Sequence, residues 1–73
     1  MPGTARRLHR ATLSREDVKL LSLLAEGMPM ALVARHMHLS ERSVRRRVRT
    51  ICDQLGVRTS IQAVAWAARR GLV

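Results

Sequence analysis

Several residue types are scarce in this 73-residue chain, and each shortage argues against a class of protein. A single cysteine, Cys52, excludes an internal disulfide framework and fits a reducing compartment. There is no phenylalanine or tyrosine and one tryptophan, so the chain lacks an aromatic platform for stacking single-stranded bases. No apolar run approaches the roughly 18 residues of a membrane span, and the N-terminus lacks the apolar segment of a secretory signal. We therefore expect a cytoplasmic protein that makes no contact with a membrane.

Acidic residues are also scarce, with five Asp plus Glu against fourteen Lys plus Arg, a formal charge of +9 and a pI near 11.9. Such an excess of positive charge predicts a polyanion as partner. All but one of the basic residues are arginine, which favours bidentate contact with phosphate and guanine. A GC-rich genome would give the same bias without selection for binding. The apolar content of 47% is enough for one small domain.

The strongest periodic pattern lies in residues 40–55. Taken as a helix, this segment places Val44, Val48, Ile51 and Leu55 in one apolar stripe. Its arginines form a second stripe on nearly the opposite side: Arg42, Arg45, Arg46 and Arg49. Guanidinium groups at this spacing repel one another unless an anion lies along them, and a nucleic-acid groove has the required shape. The alternative is a basic face exposed only to solvent.

Capping and terminating residues predict an all-α fold of four helices without strands. Serine, threonine, proline and glycine delimit helices at about 14–26, 29–37, 40–55 and 60–70. Two helices joined by three or four residues, the second of them basic, form a helix-turn-helix. The inward side chains are predicted to be Leu20, Leu21, Leu24 and Ala25 in the first helix, Met30, Val33, Ala34 and Met37 in the second, and Ile61, Val64, Ala65 and Ala68 in the fourth.

Residues 1–12 are basic and without periodicity, and we expect a flexible arm preceding a helical domain of residues 13–73. The arm is either a disordered terminus or an electrostatic tether to DNA phosphates. Catalysis is not expected, because the sequence has no nucleophile–base pair, carboxylate pair or phosphate-cradling glycine loop. His36 and His38 lack further ligands at metal-binding spacing, so we expect neither a metal nor a cofactor.

Three segments resemble the C-terminal DNA-binding domain of LuxR-type regulators, a four-helix unit also found in NarL-type response regulators. They are LSREDVKLLSLLAEGM, LVARHMHLSERSVRRRVRTICDQLGV and QAVAWAARRGLV, which together run from Leu13 to Val73 without a gap. The combined spacing of Leu-Ala-Glu-Gly, Leu-Ser-x-x-Ser-Val-Arg and Leu-Gly-Val is specific. Differences from the family pattern include His38, where a turn glycine is usual, and Leu32, where the family tends to have a charged residue.

The resemblance implies a bacterial, sequence-specific, double-stranded DNA-binding transcription regulator with its third helix in the major groove. It implies base contacts by Arg45, Arg46 and Arg49, and a phosphate contact by Ser43. Charge and location add Arg42, Arg47 and Arg58 as candidates for phosphate contacts. LuxR-type regulators commonly carry a receiver or autoinducer-binding domain, and here the basic arm alone precedes the first helix. We therefore expect a stand-alone reader of DNA.

The fourth helix is predicted to pair two copies of the chain. With the inward stripe given above, its outer side carries Ala63, Trp66, Ala67 and Arg70. The small alanines would let two helices approach while the tryptophan rings cover the contact. We expect a homodimer, formed either in free solution or on DNA alone. The alternative for Trp66 is packing against a neighbouring loop. The alternative function is a protein-interaction module or accessory factor that contacts RNA polymerase or another regulator.

Overall fold

The computed structural model describes residues 13–73, which form four helices and no strands. We name them α1 (Arg15–Ala25), α2 (Met30–Met37), α3 (Glu41–Leu55) and α4 (Ser60–Arg69). The prediction of an all-α, four-helix fold is confirmed. The expected basic arm, residues 1–12, lies outside the described residues. Within the described part of the chain, no helix is long and apolar enough to cross a membrane.

Side-chain caps fix where three of the helices begin. The Ser14 hydroxyl accepts a hydrogen bond from the Asp17 amide at 3.0 Å, and the Asp17 carboxylate accepts from the Ser14 amide at 3.3 Å. Thr59 and Gln62 form the same reciprocal box at the start of α4, with distances of 3.1 and 3.2 Å. Ser40 caps α3. Each cap satisfies an amide that has no partner within its helix and is worth about 1 kcal/mol.

The turn between α2 and α3 contains a strained residue. His38 adopts a left-handed conformation, with φ 58° and ψ 41°, and is the one non-glycine residue with positive φ in the described chain. Its amide donates to the Arg35 carbonyl at 3.3 Å, and the Leu39 amide donates to the Ala34 carbonyl at 2.9 Å. These bonds close the end of α2 and turn the chain sharply into α3.

Replacing His38 by glycine is expected to raise the free energy of unfolding by about 0.5–1 kcal/mol. A β-carbon in the left-handed region costs about 1–2 kcal/mol, and the greater freedom of glycine in the unfolded chain offsets part of the gain. Urea unfolding followed by circular dichroism measures the change. As a control, His36→Gly lies in the helical part of α2, where glycine should lower stability by a few tenths of a kcal/mol. If His38→Gly is less stable than the wild type, the left-handed conformation of His38 is not strained.

One apolar core lies between the helices. The largest fully buried side chains come from α1, α2 and α3. Helix α3 packs against both α2 and α4, while α1 packs against α2 and α4. The buried residues are Leu20, Leu21, Val33, Ala34, Val44, Val48, Ile51, Cys52, Ala63 and Ala67. Three of the four residues predicted for the apolar stripe of α3 are therefore fully or nearly fully buried, and Leu55 is half-buried against them.

The prediction for α4 was wrong about the centre of the inward side, although Val64 is half-buried against the core as predicted. Ala63 and Ala67 are fully buried, whereas Ile61 is 79% exposed and Ala68 is also exposed. The segment is apolar nearly all round, so hydrophobicity alone does not select a side. Helix α4 contacts both α1 and α3, and a methyl group at the contact lets it approach closely. In α1, the predicted inward residue Ala25 is likewise exposed.

Candidate nucleic-acid interface

The side of α3 that faces away from the core carries four exposed arginines. Opposite the buried Val44 and Val48, these guanidinium groups surround a shallow depression of about 250 Å³. They are Arg42, Arg45, Arg46 and Arg49. The helix therefore places an apolar stripe on one side and a basic stripe on the other, as the periodicity predicts. In the described part of the chain, no carboxylate lies within ion-pair distance of Arg42, Arg46 or Arg49.

Arg45 differs from the other arginines of this stripe because it is paired. Its Nη2 donates to Oε2 of Glu41, one turn earlier on α3. About half of each side chain remains exposed, 63% for Arg45 and 45% for Glu41. Glu41 is not among the residues predicted for the interface, although the i, i+4 spacing of a glutamate and an arginine indicates such a pair.

Arg47 joins α3 to the start of α1. Its Nη1 donates to Oε1 of Glu16 at 3.0 Å and lies 3.9 Å from Oδ1 of Asp17. About a third of the Arg47 side chain is exposed. This arginine was predicted to contact a phosphate, and the structure gives it two carboxylate neighbours within the chain. The ion pair therefore connects one flank of α3 to the first turn of α1 at the protein surface.

On the same flank, Ser43 is exposed beside Arg46 and Arg47 at the edge of a depression of about 400 Å³. The Ser40 hydroxyl donates to the Ser43 oxygen at 2.9 Å and accepts from the Ser43 amide at 3.0 Å. Either hydroxyl can donate in this contact, and when Ser40 donates, the proton of Ser43 is free to donate to an external anion.

The other flank of α3 has a second basic depression, of about 320 Å³, where the starts of α2 and α4 approach α3. Arg45, Arg49 and Arg58 line it together with Ser60. The Arg58 amide donates to Oε1 of Gln62 at 2.8 Å, which holds the backbone of the loop in place. The Arg58 side chain is exposed. The basic stripe therefore has cationic groups on both sides.

The residues predicted for a dimer contact do not form one exposed surface. Ala63 and Ala67 are fully buried in the core, so they cannot contact a second copy. Trp66 is half-buried against the core, and the guanidinium carbon of Arg70 lies 3.8 Å from the centre of its ring. The exposed apolar residues of this region are instead Ile61, Ala68, Leu72 and Val73.

Cys52 and the potential metal ligands of the described residues bear on catalysis and metal binding. Burial raises the pKa of the Cys52 thiol, and the neighbouring Asp53 carboxylate raises it further. The thiol is thus neutral near pH 7 and a poor nucleophile. No group of three or more histidine, cysteine or acidic side chains is close enough to hold a metal ion in residues 13–73.

Comparison with known families agrees with this geometry. The GerE family model, described as bacterial regulatory proteins of the luxR family, matches residues 11–67. No curated protein and no solved structure shows significant similarity to the chain. The matched segment covers all of α1, α2 and α3 and most of α4. The chain therefore belongs to the LuxR family of bacterial regulatory proteins, whose helix-turn-helix domains bind DNA.

Proposed function

We propose that this protein is a bacterial transcription regulator that binds specific sequences in double-stranded DNA, with α3 in the major groove. The observation that carries the proposal is the exposed arginine stripe on α3, directly opposite its buried side. A major groove about 12 Å wide admits one helix. Partial insertion of α3 would bring the stripe to the base edges.

The flanks of α3 support the division of contacts predicted from the sequence. Arg45, Arg46 and Arg49 contact base edges in this proposal. Phosphate contacts come from the two sides: Ser43 and Arg47 on one flank, Arg58 on the other, and Arg42 near the start of the helix. Arg47 has a smaller share, because Glu16 occupies part of its guanidinium group. The two strands that border the groove would thus meet positive charge on both sides of α3.

We further propose that two copies bind together through the exposed side of α4. Ile61 and Ala68 are exposed on this side, and Ala65, one turn from each, is half-buried. Leu72 is exposed beyond the C-terminal end of the helix. An isologous contact through this stripe would place two α3 helices about 34–36 Å apart, one turn of DNA. The stripe is small, so pairing is expected on DNA rather than in free solution.

A selection from a random duplex library tests the proposal. The purified protein is expected to enrich a palindrome with half-sites one helical turn apart. The competing function, an accessory factor that contacts RNA polymerase or another regulator, has one observation in its favour: Leu32 is 39% exposed beside Arg35 and His36 on the outer side of α2. Recovery of no enriched sequence would contradict the DNA-reading proposal and favour that factor.

Repeating the selection with Arg46→Ala is expected to remove the preference at one or two base pairs in each half-site. A bidentate contact between arginine and guanine is worth about 1–3 kcal/mol of discrimination. Arg42→Ala is the matched control on the same helix. As a phosphate contact, Arg42 should weaken binding to selected and shuffled duplexes alike. Equal losses on all duplexes for both variants would show that the stripe holds only phosphates.

A further inference from the structure

Glu41 is an acidic residue at the start of a helix that otherwise presents positive charge. It is the first residue of α3, and its carboxylate holds the guanidinium group of Arg45 through Nη2. Within residues 13–73, Arg45 is the one member of the arginine stripe with a carboxylate partner. The proposed function places DNA phosphates close to this surface, and a carboxylate repels them. The presence of Glu41 here therefore requires a physical reason.

Fold stability explains part of this placement, because a carboxylate in the first turn of α3 interacts favourably with the helix dipole. Stability does not require the contact with Arg45, since both side chains are about half exposed and an exposed i, i+4 ion pair contributes little. The electrostatic effect on a ligand is larger: the pair has no net charge, so Arg45 paired with Glu41 adds little attraction to phosphate. Without Glu41, the same guanidinium would be a free cation beside Arg42 and Arg49.

The geometry of the contact leaves Arg45 able to read a base. A guanidinium group has five N–H donors, and the Glu41 contact uses Nη2. Nη2 carries two N–H groups, one on the edge that it shares with Nε and one on the edge that it shares with Nη1. The contact with Glu41 occupies one of these edges, so the other remains free for a bidentate contact with O6 and N7 of guanine. An arginine fixed by a neighbour also loses less conformational freedom when it binds.

We propose that Glu41 is a specificity-determining residue, which withholds Arg45 from the sugar–phosphate backbone and holds it toward a base edge. The inference rests on the proposed function, since it assumes that α3 lies in the major groove. Glu41 acts through Arg45 and is therefore a positioning residue. Its contribution is a larger ratio of specific to non-specific affinity, obtained by weakening the non-specific binding.

The test compares Glu41→Gln with the wild-type protein on two duplexes of equal length, one recovered by library selection and one with its sequence shuffled. On the shuffled duplex, Arg45 becomes free to bind a phosphate. The slope of log K against log salt should steepen by about 0.9, and affinity should rise roughly fivefold to tenfold at 100 mM salt. On single-base variants of the selected duplex, discrimination at the base pair read by Arg45 should disappear.

Glu26→Gln is the matched control for net charge. Glu26 is exposed at the end of α1, outside α3, and the variant loses the same single negative charge. At 0.1 M salt, charges more than about 10 Å from the DNA are largely screened. Its slope should therefore equal that of the wild type, and its base preferences should not change. Equal behaviour of the two glutamine variants would overturn the inference.

The double variant Glu41→Gln with Arg45→Gln separates position from charge. It has the same net charge as the wild type, so the salt slope on the shuffled duplex should not change, while discrimination at one base pair should be lost. Retained discrimination would overturn the inference. Circular dichroism checks that each variant is folded.

Two outcomes separate the inference from the proposed function. If the wild type itself does not distinguish the two duplexes, the proposed function fails. If the wild type does distinguish them and Glu41→Gln behaves identically to it, this inference alone fails.

Discussion

DNA binding is expected to weaken by roughly a thousandfold on a full palindrome when salt rises from 50 to 200 mM. Each copy presents three guanidinium groups that the proposed function assigns to phosphates: Arg42, Arg47 and Arg58. Two copies would thus neutralise about six phosphates. Each neutralised phosphate contributes about −0.9 to the slope of log K against log salt, because a condensed counterion is released.

Fluorescence anisotropy with labelled duplexes measures this slope at several salt concentrations. A half-site that binds one copy should give about half the slope, near −2.7, and a loss of roughly fortyfold over the same range. The ratio of the two slopes therefore reports how many copies bind. Arg58→Ala should reduce the slope by about 0.9 per copy. A response that is flat in salt would exclude the arginine stripe as the contact with DNA.

Replacing Ala67 by glutamate is expected to unfold the domain at neutral pH. Ala67 is fully buried, so the new carboxylate would lie in an apolar core. Burying an unpaired charge costs several kcal/mol, which is comparable with the whole stability of a small domain, about 5–15 kcal/mol. The measurement is thermal unfolding followed by the helical circular-dichroism signal. The transition should be absent, or its midpoint temperature strongly lowered.

The next residue provides a control with identical chemistry. Ala68→Glu places the same group on the exposed side of α4, where it should change stability by no more than about 0.5 kcal/mol. This variant is instead expected to lose cooperative binding to a palindrome, because two carboxylates would face each other across the proposed contact. A folded Ala67→Glu with an unchanged transition would contradict the observed orientation of α4.

The contrast between α3 and α4 shows what the sequence can predict. In α3, charged and apolar side chains alternate with the period of a helix, so a single orientation buries the apolar ones. In α4, Ile61 and Ala67 lie on different sides and either could face inward on hydrophobicity alone. The choice depends on how α4 packs against α1 and α3, which is a property of the assembled fold.

The same distinction applies to the candidate interface. The four arginines of the stripe follow from local spacing, and so does the contact between Glu41 and Arg45, which are four residues apart. The ion pair between Arg47 and Glu16 joins residues that are 31 positions apart. No periodic pattern connects those two positions, so that pair becomes visible only after α1 and α3 are placed together.

Trp66 gives the molecule a built-in optical probe at a single location. It is the one tryptophan of the chain, half-buried against the core with the Arg70 guanidinium group stacked on its ring. The protein's near-ultraviolet absorption and its emission above 300 nm therefore come from Trp66, and they report on the surroundings of α4 and not on the arginine stripe. Tryptophan fluorescence can then follow the packing of α4 while a dye attached to the DNA follows binding by α3. Pairing of two copies and DNA binding are thus observed separately in one sample.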